Sequence, residues 1–271
     1  MYKTVHLPNG THAHSWTREG SSRAIIVQHG LGEHALEYLS KHNRIISRFL
    51  DRGLNVYAVD FDSHDEKDHD LYVSDLTKSI ENHFYLVKHV FGIEKKPIYL
   101  FGHSLGGLVT VINSIFFRNN ISGIVLSSPM LGVDLLSCLA PMLRFVSRLS
   151  PKMTIFSIDR KDLTNKNTGK YKKEVIIKVP ARFAASILIH CRNARDIFHK
   201  FEAPVLIVHG ASDSVTNPKF SKMFFDKIRS KSKKITIYSG EKHEMIDDAN
   251  GEKIINDVTS WILSEKKSQS L

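Results

Sequence analysis

Apolar residues along the chain fall into two rhythms. Short, nearly unbroken apolar runs lie at Ala24–His29, Asn55–Asp60, Ile98–Phe101, Gly123–Ser127, Val205–His209 and Ile235–Tyr238, with the length and composition of buried strands. Between them, 36–50, 73–91, 108–116, 218–228 and 252–263 repeat apolar residues at helical spacing, as in Leu108, Val111, Ile112 and Ile115. Ahead of these, 2–7 and 11–16 flank Pro8-Asn9-Gly10 and predict a hairpin. Strands that are apolar on both faces and alternate with helices predict an α/β protein with a mainly parallel sheet covered on both sides. No internal repeat is present, and the tail 265–271 is expected to be disordered.

One region breaks the alternation. From Gly132 to Ala203 no run reads as a buried strand, yet the segment is far too long for a simple loop. It begins with the apolar stretch 133–146, which carries Arg144. As a core helix it would have no strand to return to, so a mostly helical cap over the carboxyl edge of the sheet is expected instead. The expected division is a core in two parts, 1–131 and 204–271, with an inserted cap at 132–203. Such a cap would offer an apolar tunnel to a substrate and an apolar, basic face to lipid.

The chain is organised around the junction of the third parallel strand and its helix, Gly102-His103-Ser104-Leu105-Gly106. A Gly-x-Ser-x-Gly between a buried strand and an amphipathic helix forces a sharp reversal. The middle residue is then strained, and both flanking positions are too crowded for a side chain. Such a turn presents Ser104 Oγ as a nucleophile, the alternative being a purely structural turn.

Composition narrows the class. Of 271 residues 42% are hydrophobic, enough for a large core. The 38 Lys and Arg exceed the 28 Asp and Glu to give +10, but they are scattered, without an arginine-rich or aromatic-interleaved tract. Nucleic acid is therefore not an expected partner, while an anionic membrane surface stays open beside mere solubility. Two cysteines, Cys138 and Cys191, build no disulfide framework. With no signal-peptide core or spanning segment, the expected location is cytoplasmic, with peripheral membrane contact through the cap as a further expectation.

A serine hydroxyl needs a base, and the base an acid to hold it. The strand ending at His209 runs into Gly210-Ala211-Ser212-Asp213, and the strand ending at Tyr238 into Ser239-Gly240-Glu241-Lys242-His243. Ser104, Asp213 and His243 thus follow strands in the order nucleophile, acid, base. The expected roles are Ser104 as nucleophile, His243 as general acid and base, and Asp213 as the carboxylate that fixes its tautomer. Two backbone amides should face the developing oxyanion, those of Leu105 and of Leu31 in His29-Gly30-Leu31-Gly32. The expected mechanism requires no metal and no cofactor.

These stretches, with His29-Gly30-Leu31-Gly32-Glu33-His34 and Gly240-Glu241-Lys242-His243-Glu244, resemble the monoacylglycerol lipases and lysophospholipase-like serine hydrolases of the α/β-hydrolase fold. The resemblance spans nearly the whole core and implies hydrolysis of a single-chain lipid ester, in the first place a monoacylglycerol. It also implies that Glu33 lies near the polar end of the pocket, holding the loop or a glycerol headgroup, with Tyr38 a further candidate for substrate binding. Glu33 has the alternative reading of a surface carboxylate at a helix start.

Two departures bear on the substrate. The family follows its second parallel strand with Asp-x-x-Gly-His-Gly-x-Ser, where this chain has Asp60-Phe61-Asp62-Ser63-His64-Asp65 and no glycines. The run 167–173 is also more basic than the family's cap implies. The acidic, histidine-rich run 60–70 matches no zinc or EF-hand spacing and reads as a solvated loop. Lysophospholipase, thioesterase and carboxylesterase activities use the same triad and stay open, as does a binding protein that keeps the fold without turnover.

Overall fold

A computed structural model describes residues 1–62, 75–133, 140–159, 163–165 and 176–265. The basic run 167–173, His64 with the rest of the acidic run, Cys138 and the tail beyond Glu265 lie outside the described residues.

The hairpin β1 (Tyr2–His6) and β2 (His12–Trp16) forms where Pro8-Asn9-Gly10 predicts it, Gly10 supplying a φ of 83°. β3 (Arg23–Gln28) is followed by a short 3₁₀ turn at Ala35–Leu39, helix α1 (Ile45–Asp51) and β4 (Leu54–Val59). The single helix expected over 36–50 is therefore broken. His42, Asn43 and Arg44 all take left-handed φ values, 50°, 51° and 58°, which no helix accommodates. α2 (Leu76–Ile93) starts at Asp75, whose side chain accepts the Thr77 amide. β5 (Ile98–His103), α3 (Leu105–Phe116) and β6 (Gly123–Ser127) complete the first part of the main sheet.

Between β6 and the next sheet strand the chain forms α4 (Ala140–Leu149), β7 (Thr154–Asp159), β8 (Ile176–Pro180) and α5 (Ala181–Ile197). β7 and β8 pair antiparallel in a two-stranded sheet of their own, a hairpin that the apolar pattern does not announce. β7 is half-exposed, and β8 alternates buried Ile177, exposed Lys178 and buried Val179 before Pro180 ends it. The chain returns through β9 (Val205–Gly210), α6 (Pro218–Lys227), β10 (Lys233–Tyr238) and α7 (Gly251–Ser264).

The main sheet runs β1-β2-β4-β3-β5-β6-β9-β10, antiparallel at the β1-β2-β4 edge and parallel from β4 to β10. Alternate residues of each central strand feed different cores. Ile26, Leu100, Leu126 and Ile207 pack with α2, α3, α5 and α6, whereas Ile25, Phe101, Val125 and Val208 pack with α1 and α7. Burial on both faces is why these strands read as continuous apolar runs. Among the described residues no helix is long and apolar enough to cross a membrane.

α3 lies so close to the sheet that a Cβ on Gly106 would run into the carbonyl oxygens of Gln28 and His29, whereas one on Gly92, at the exposed end of α2, meets nothing within 4 Å. Gly106→Ala should therefore destabilise the fold by about 1–3 kcal/mol. Gly92→Ala should stabilise it by about 0.5–1 kcal/mol. Urea unfolding of the two variants beside the parent checks both signs.

Candidate active site

Ser104 caps the end of β5 with φ 52° and ψ −121°, a conformation costing an ordinary residue about 1–3 kcal/mol. The surroundings leave it no alternative. Its amide donates to the Ser127 carbonyl at 2.9 Å, and its carbonyl accepts from Gly107 and Met130, each at 2.9 Å. A Cβ at Gly102 would lie 2.6 Å from the Gly106 carbonyl oxygen, and one at Gly107 2.6 Å from Pro129 Cβ.

Ser104 Oγ lies 2.9 Å from His243 Nε2, and His243 Nδ1 lies 2.7 Å from Asp213 Oδ2. A carboxylate only accepts, so Nδ1 carries the proton and Nε2 presents its lone pair to the serine. All three residues are buried. Burial works against a charge on His243, but the Asp213 carboxylate, with Glu244 and Glu33 behind it, outweighs burial and raises the imidazole above its ordinary 6.5. Burial also works against the Asp213 charge, yet the His243 charge and hydrogen bonds from His209, His243 and the Thr216 amide hold it well below the usual carboxylate range.

Several partners of this series were not apparent in the sequence. Asp213 Oδ1 accepts the amides of Val215 at 2.8 Å and Thr216 at 2.9 Å, the turn into which β9 delivers it. His209 Nε2, 3.1 Å from Asp213 Oδ2, donates to the Thr216 carbonyl at 2.8 Å, while its Nδ1 faces Ser221 Oγ. The Thr216 hydroxyl lies 2.8 Å from Asp213 Oδ2 and 3.0 Å from the Ser128 carbonyl, and can donate to one at a time. Ser128 Oγ in turn donates to the His243 carbonyl at 3.0 Å. Only His209, a polar residue at the end of an apolar strand, carried a signal.

The loop after β3 approaches from the opposite side. His29 Nδ1 donates to the Gly30 carbonyl at 2.8 Å, and its Nε2 lies 3.1 Å from the Phe61 amide beside Asp60. Glu33 is 3% exposed, which excludes the surface-carboxylate reading. Its Oε2 accepts the Gly30 amide at 2.6 Å and the Tyr38 hydroxyl at 2.7 Å. Tyr38 is thus behind Glu33, and Glu33 lies between it and Ser104's cavity. His103 is buried 5.0 Å from the His243 ring and is held neutral, burial driving its pKa down to about 3.

A space of about 20 Å³, barely enough for one water, separates Leu31, Glu33, Ser104 and His243 from Ile158 and Ile177 of the β7–β8 hairpin. Met130, Ile158, Leu163 and Val215 line both this space and a larger cavity of about 510 Å³, whose wall continues through Ile155, Ile187 and Leu188. That volume lies within the about 300–1,000 Å³ of small-molecule sites. The piece 163–165 is fastened to the His243 loop: the Glu244 amide donates to the Leu163 carbonyl at 2.8 Å, Asp248 accepts from the Thr164 hydroxyl and the Asn165 amide, and Asn165 Nδ2 reaches the Gly240 carbonyl. Among the described residues no three His, Cys, Asp or Glu side chains converge to hold a metal ion.

The family described as "Serine aminopeptidase, S33" (Hydrolase_4) matches residues 20–250. The chain is 26% identical to a monoacylglycerol lipase of Mycolicibacterium smegmatis over 92% of its own length and 91% of that protein's. It is 27% identical to the caffeoylshikimate esterase of Arabidopsis thaliana over 88% of its length and 76% of that enzyme's. The crystal structure of a monoacylglycerol lipase of Paleococcus ferrophilus superposes with a TM-score of 0.78 at 22% identity, covering 94% of this chain and 99% of that one. The sheet and its helices are those of the α/β-hydrolase fold.

A serine activated through a histidine reacts only when the imidazole is unprotonated. Labelling of Ser104 by a fluorophosphonate should therefore rise with pH through a midpoint above 6.5. Asp213→Asn, which leaves Nδ1 facing an amide and frees the wrong tautomer, should slow labelling by about 100-fold or more. Rates of labelling followed by intact-mass spectrometry across pH check both.

Proposed function

The chain belongs to the hydrolase family described as serine aminopeptidase, S33, and from that premise we propose that it cleaves a carboxylic ester of a single-chain lipid, in the first place a monoacylglycerol. It is a hydrolase of the esterase and lipase type. The observation that carries the finer reading is the series Ser104–His243–Asp213 at a small space whose walls Met130, Ile158, Leu163 and Val215 it shares with an apolar cavity of about 510 Å³. The relative named a monoacylglycerol lipase, matched over 92% of the chain, supports the lipid ester over the peptide of the family's printed description.

In this reading the acyl chain lies under a cap formed by 132–203, each buried methylene contributing about 0.8 kcal/mol. Ser104 Oγ attacks the ester carbonyl as its proton passes to His243 Nε2, and Asp213 stabilises the imidazolium. The tetrahedral oxyanion takes hydrogen bonds from the amides of Leu105, in the first turn of α3, and Leu31. The peptide plane at Leu31 supports the second donor. His29 holds the Gly30 carbonyl on one side, so in a planar trans peptide the Leu31 N–H points to the other. Collapse of the intermediate passes the proton from His243 to the departing glycerol oxygen. Water activated by the same nitrogen then releases the fatty acid from the serine.

Contact with a membrane belongs to the same proposal. Met142, Phe145 and Leu149 project from α4 at 58%, 63% and 68% exposure, and Arg144 and Arg148 of the same helix line a groove with Arg182 and Asp75. An apolar helix face flanked by arginines suits the surface of an anionic bilayer, where this substrate resides.

Fatty-acid release from monooleoylglycerol and lysophosphatidylcholine, measured side by side, tests the substrate. Release chiefly from the monoglyceride, abolished in Ser104→Ala, is the expected outcome; preference for the lysophospholipid would move the substrate to that class, and full activity of Ser104→Ala would end the serine mechanism. Co-sedimentation with phosphatidylglycerol vesicles should fall several-fold in Phe145→Glu. Binding indifferent to that change and to added salt would remove the membrane contact.

A further inference from the structure

Behind the loop that follows β3 lies a buried histidine that neither the triad nor the motifs around it account for. His42 is 1% exposed and has a carboxylate at each ring nitrogen. Nε2 is 2.8 Å from Glu33 Oε1, an ion-pair contact, and Nδ1 is 3.7 Å from Asp247 Oδ2. The ring lies 4.2 Å from that of Tyr38 and 5.5 Å from that of His103. Its backbone is held as firmly. The left-handed run at 42–44 persists because Asp247 accepts the amides of both His42, at 3.1 Å, and Asn43, at 2.9 Å.

The two carboxylates belong to different halves of the site. Glu33 grips the Gly30 amide, next to the Leu31 donor. Asp247 lies four residues beyond His243 on the loop that carries it. A carboxylate as buried as Glu33 with only neutral donors around it would tend to take up a proton and loosen its charge-assisted bond to Gly30. A cation beside it removes that tendency.

We propose that His42 is a positioning residue of this hydrolase: held as an imidazolium between Glu33 and Asp247, it keeps Glu33 ionised on the Gly30 amide and ties the oxyanion loop to the His243 loop. The inference rests on the serine-hydrolase reading above. Burial opposes the charge on His42, but Glu33, then Asp247 and Glu244, outweigh it and raise the ring to about 9. The other titratable groups against the ring, His103 and Tyr38, are both neutral at that pH, burial and then Glu33 holding the Tyr38 hydroxyl well above its ordinary 10. Because the folded value exceeds the ordinary 6.5, the stability that this charge contributes is complete below 6.5 and is lost as pH rises through 9.

The test combines nuclear magnetic resonance with turnover. In the parent protein the His42 ring should stay protonated until about pH 9, and the Gly30 amide, far downfield in its short bond to Glu33, should move upfield with the same midpoint. In His42→Gln the Gly30 amide should already be upfield at neutral pH. The parent's kcat for monooleoylglycerol should decline around pH 9 as the His42 charge is lost, and in His42→Gln kcat should be about 10–100-fold lower with KM little changed and that decline absent. A ring that titrates at or below 6.5, a Gly30 amide that ignores it, or a folded His42→Gln with the parent's kcat and alkaline decline overturns the proposal. The titration of the parent needs no variant, so it decides the matter even if His42→Gln does not fold. If the parent cleaves no ester, the hydrolase reading fails by itself, and the two resonances still decide whether His42 governs Gly30.

Discussion

The constraint on which the rest of the site depends is the backbone at Ser104. Its positive φ is unfavourable in isolation and survives because everything adjacent is committed elsewhere. β5 is locked between β3 and β6, α3 lies against the carbonyls of Gln28 and His29, and the Ser104 amide and carbonyl are both satisfied. Strain of this kind is stable only when a packed sheet supports it from both faces, and the two cores provide that support. The large parallel sheet, far from the reacting atoms in most of its extent, holds one side chain in a posture it would not choose.

Around that serine, charge is distributed with economy. His243 is paired to Asp213 and His42 to Glu33, and between them His103 is buried without such a partner and stays neutral. The low-dielectric surroundings that make an unpaired charge prohibitive also make each pair strongly directional. On the proposed reading, one pair turns over with the substrate while the other never changes state. The same side-chain types serve chemistry in one place and architecture in the other, and the difference lies in whether a lone pair is left facing the cavity.

The features that were legible in the sequence are those whose causes are local. A strand, a crowded turn and a helix face are contained in the stretch 98–116, and Asp213 and His243 each follow their strand within five residues. What was not legible depends on distant partners. Helical periodicity over 36–50 correctly reports that Ile46 and Phe49 are buried, but the turn at 42–44 is imposed by Asp247, some 205 residues away. The β7–β8 hairpin was missed because strands outside the main sheet, buried on one side at most, lack the continuous apolar run by which the others declare themselves. Thr216 and Ser128 are small polar residues in turns, and nothing in their spacing marks them as partners of His243.

The stretch 163–165 has a bearing on how this protein can change. Leu163 forms part of the cavity wall, and its neighbours are bonded to Gly240 and Asp248 on either side of His243. The surface that selects a substrate and the loop that carries the imidazole are therefore one hydrogen-bonded body. Selectivity and speed are not independent settings here: a substitution that reshapes this part of the wall also shifts the base. Variation that leaves the base undisturbed has to enter through other parts of the cavity, such as Ile187 and Leu188 on α5, which make no such connection in the bonds described above.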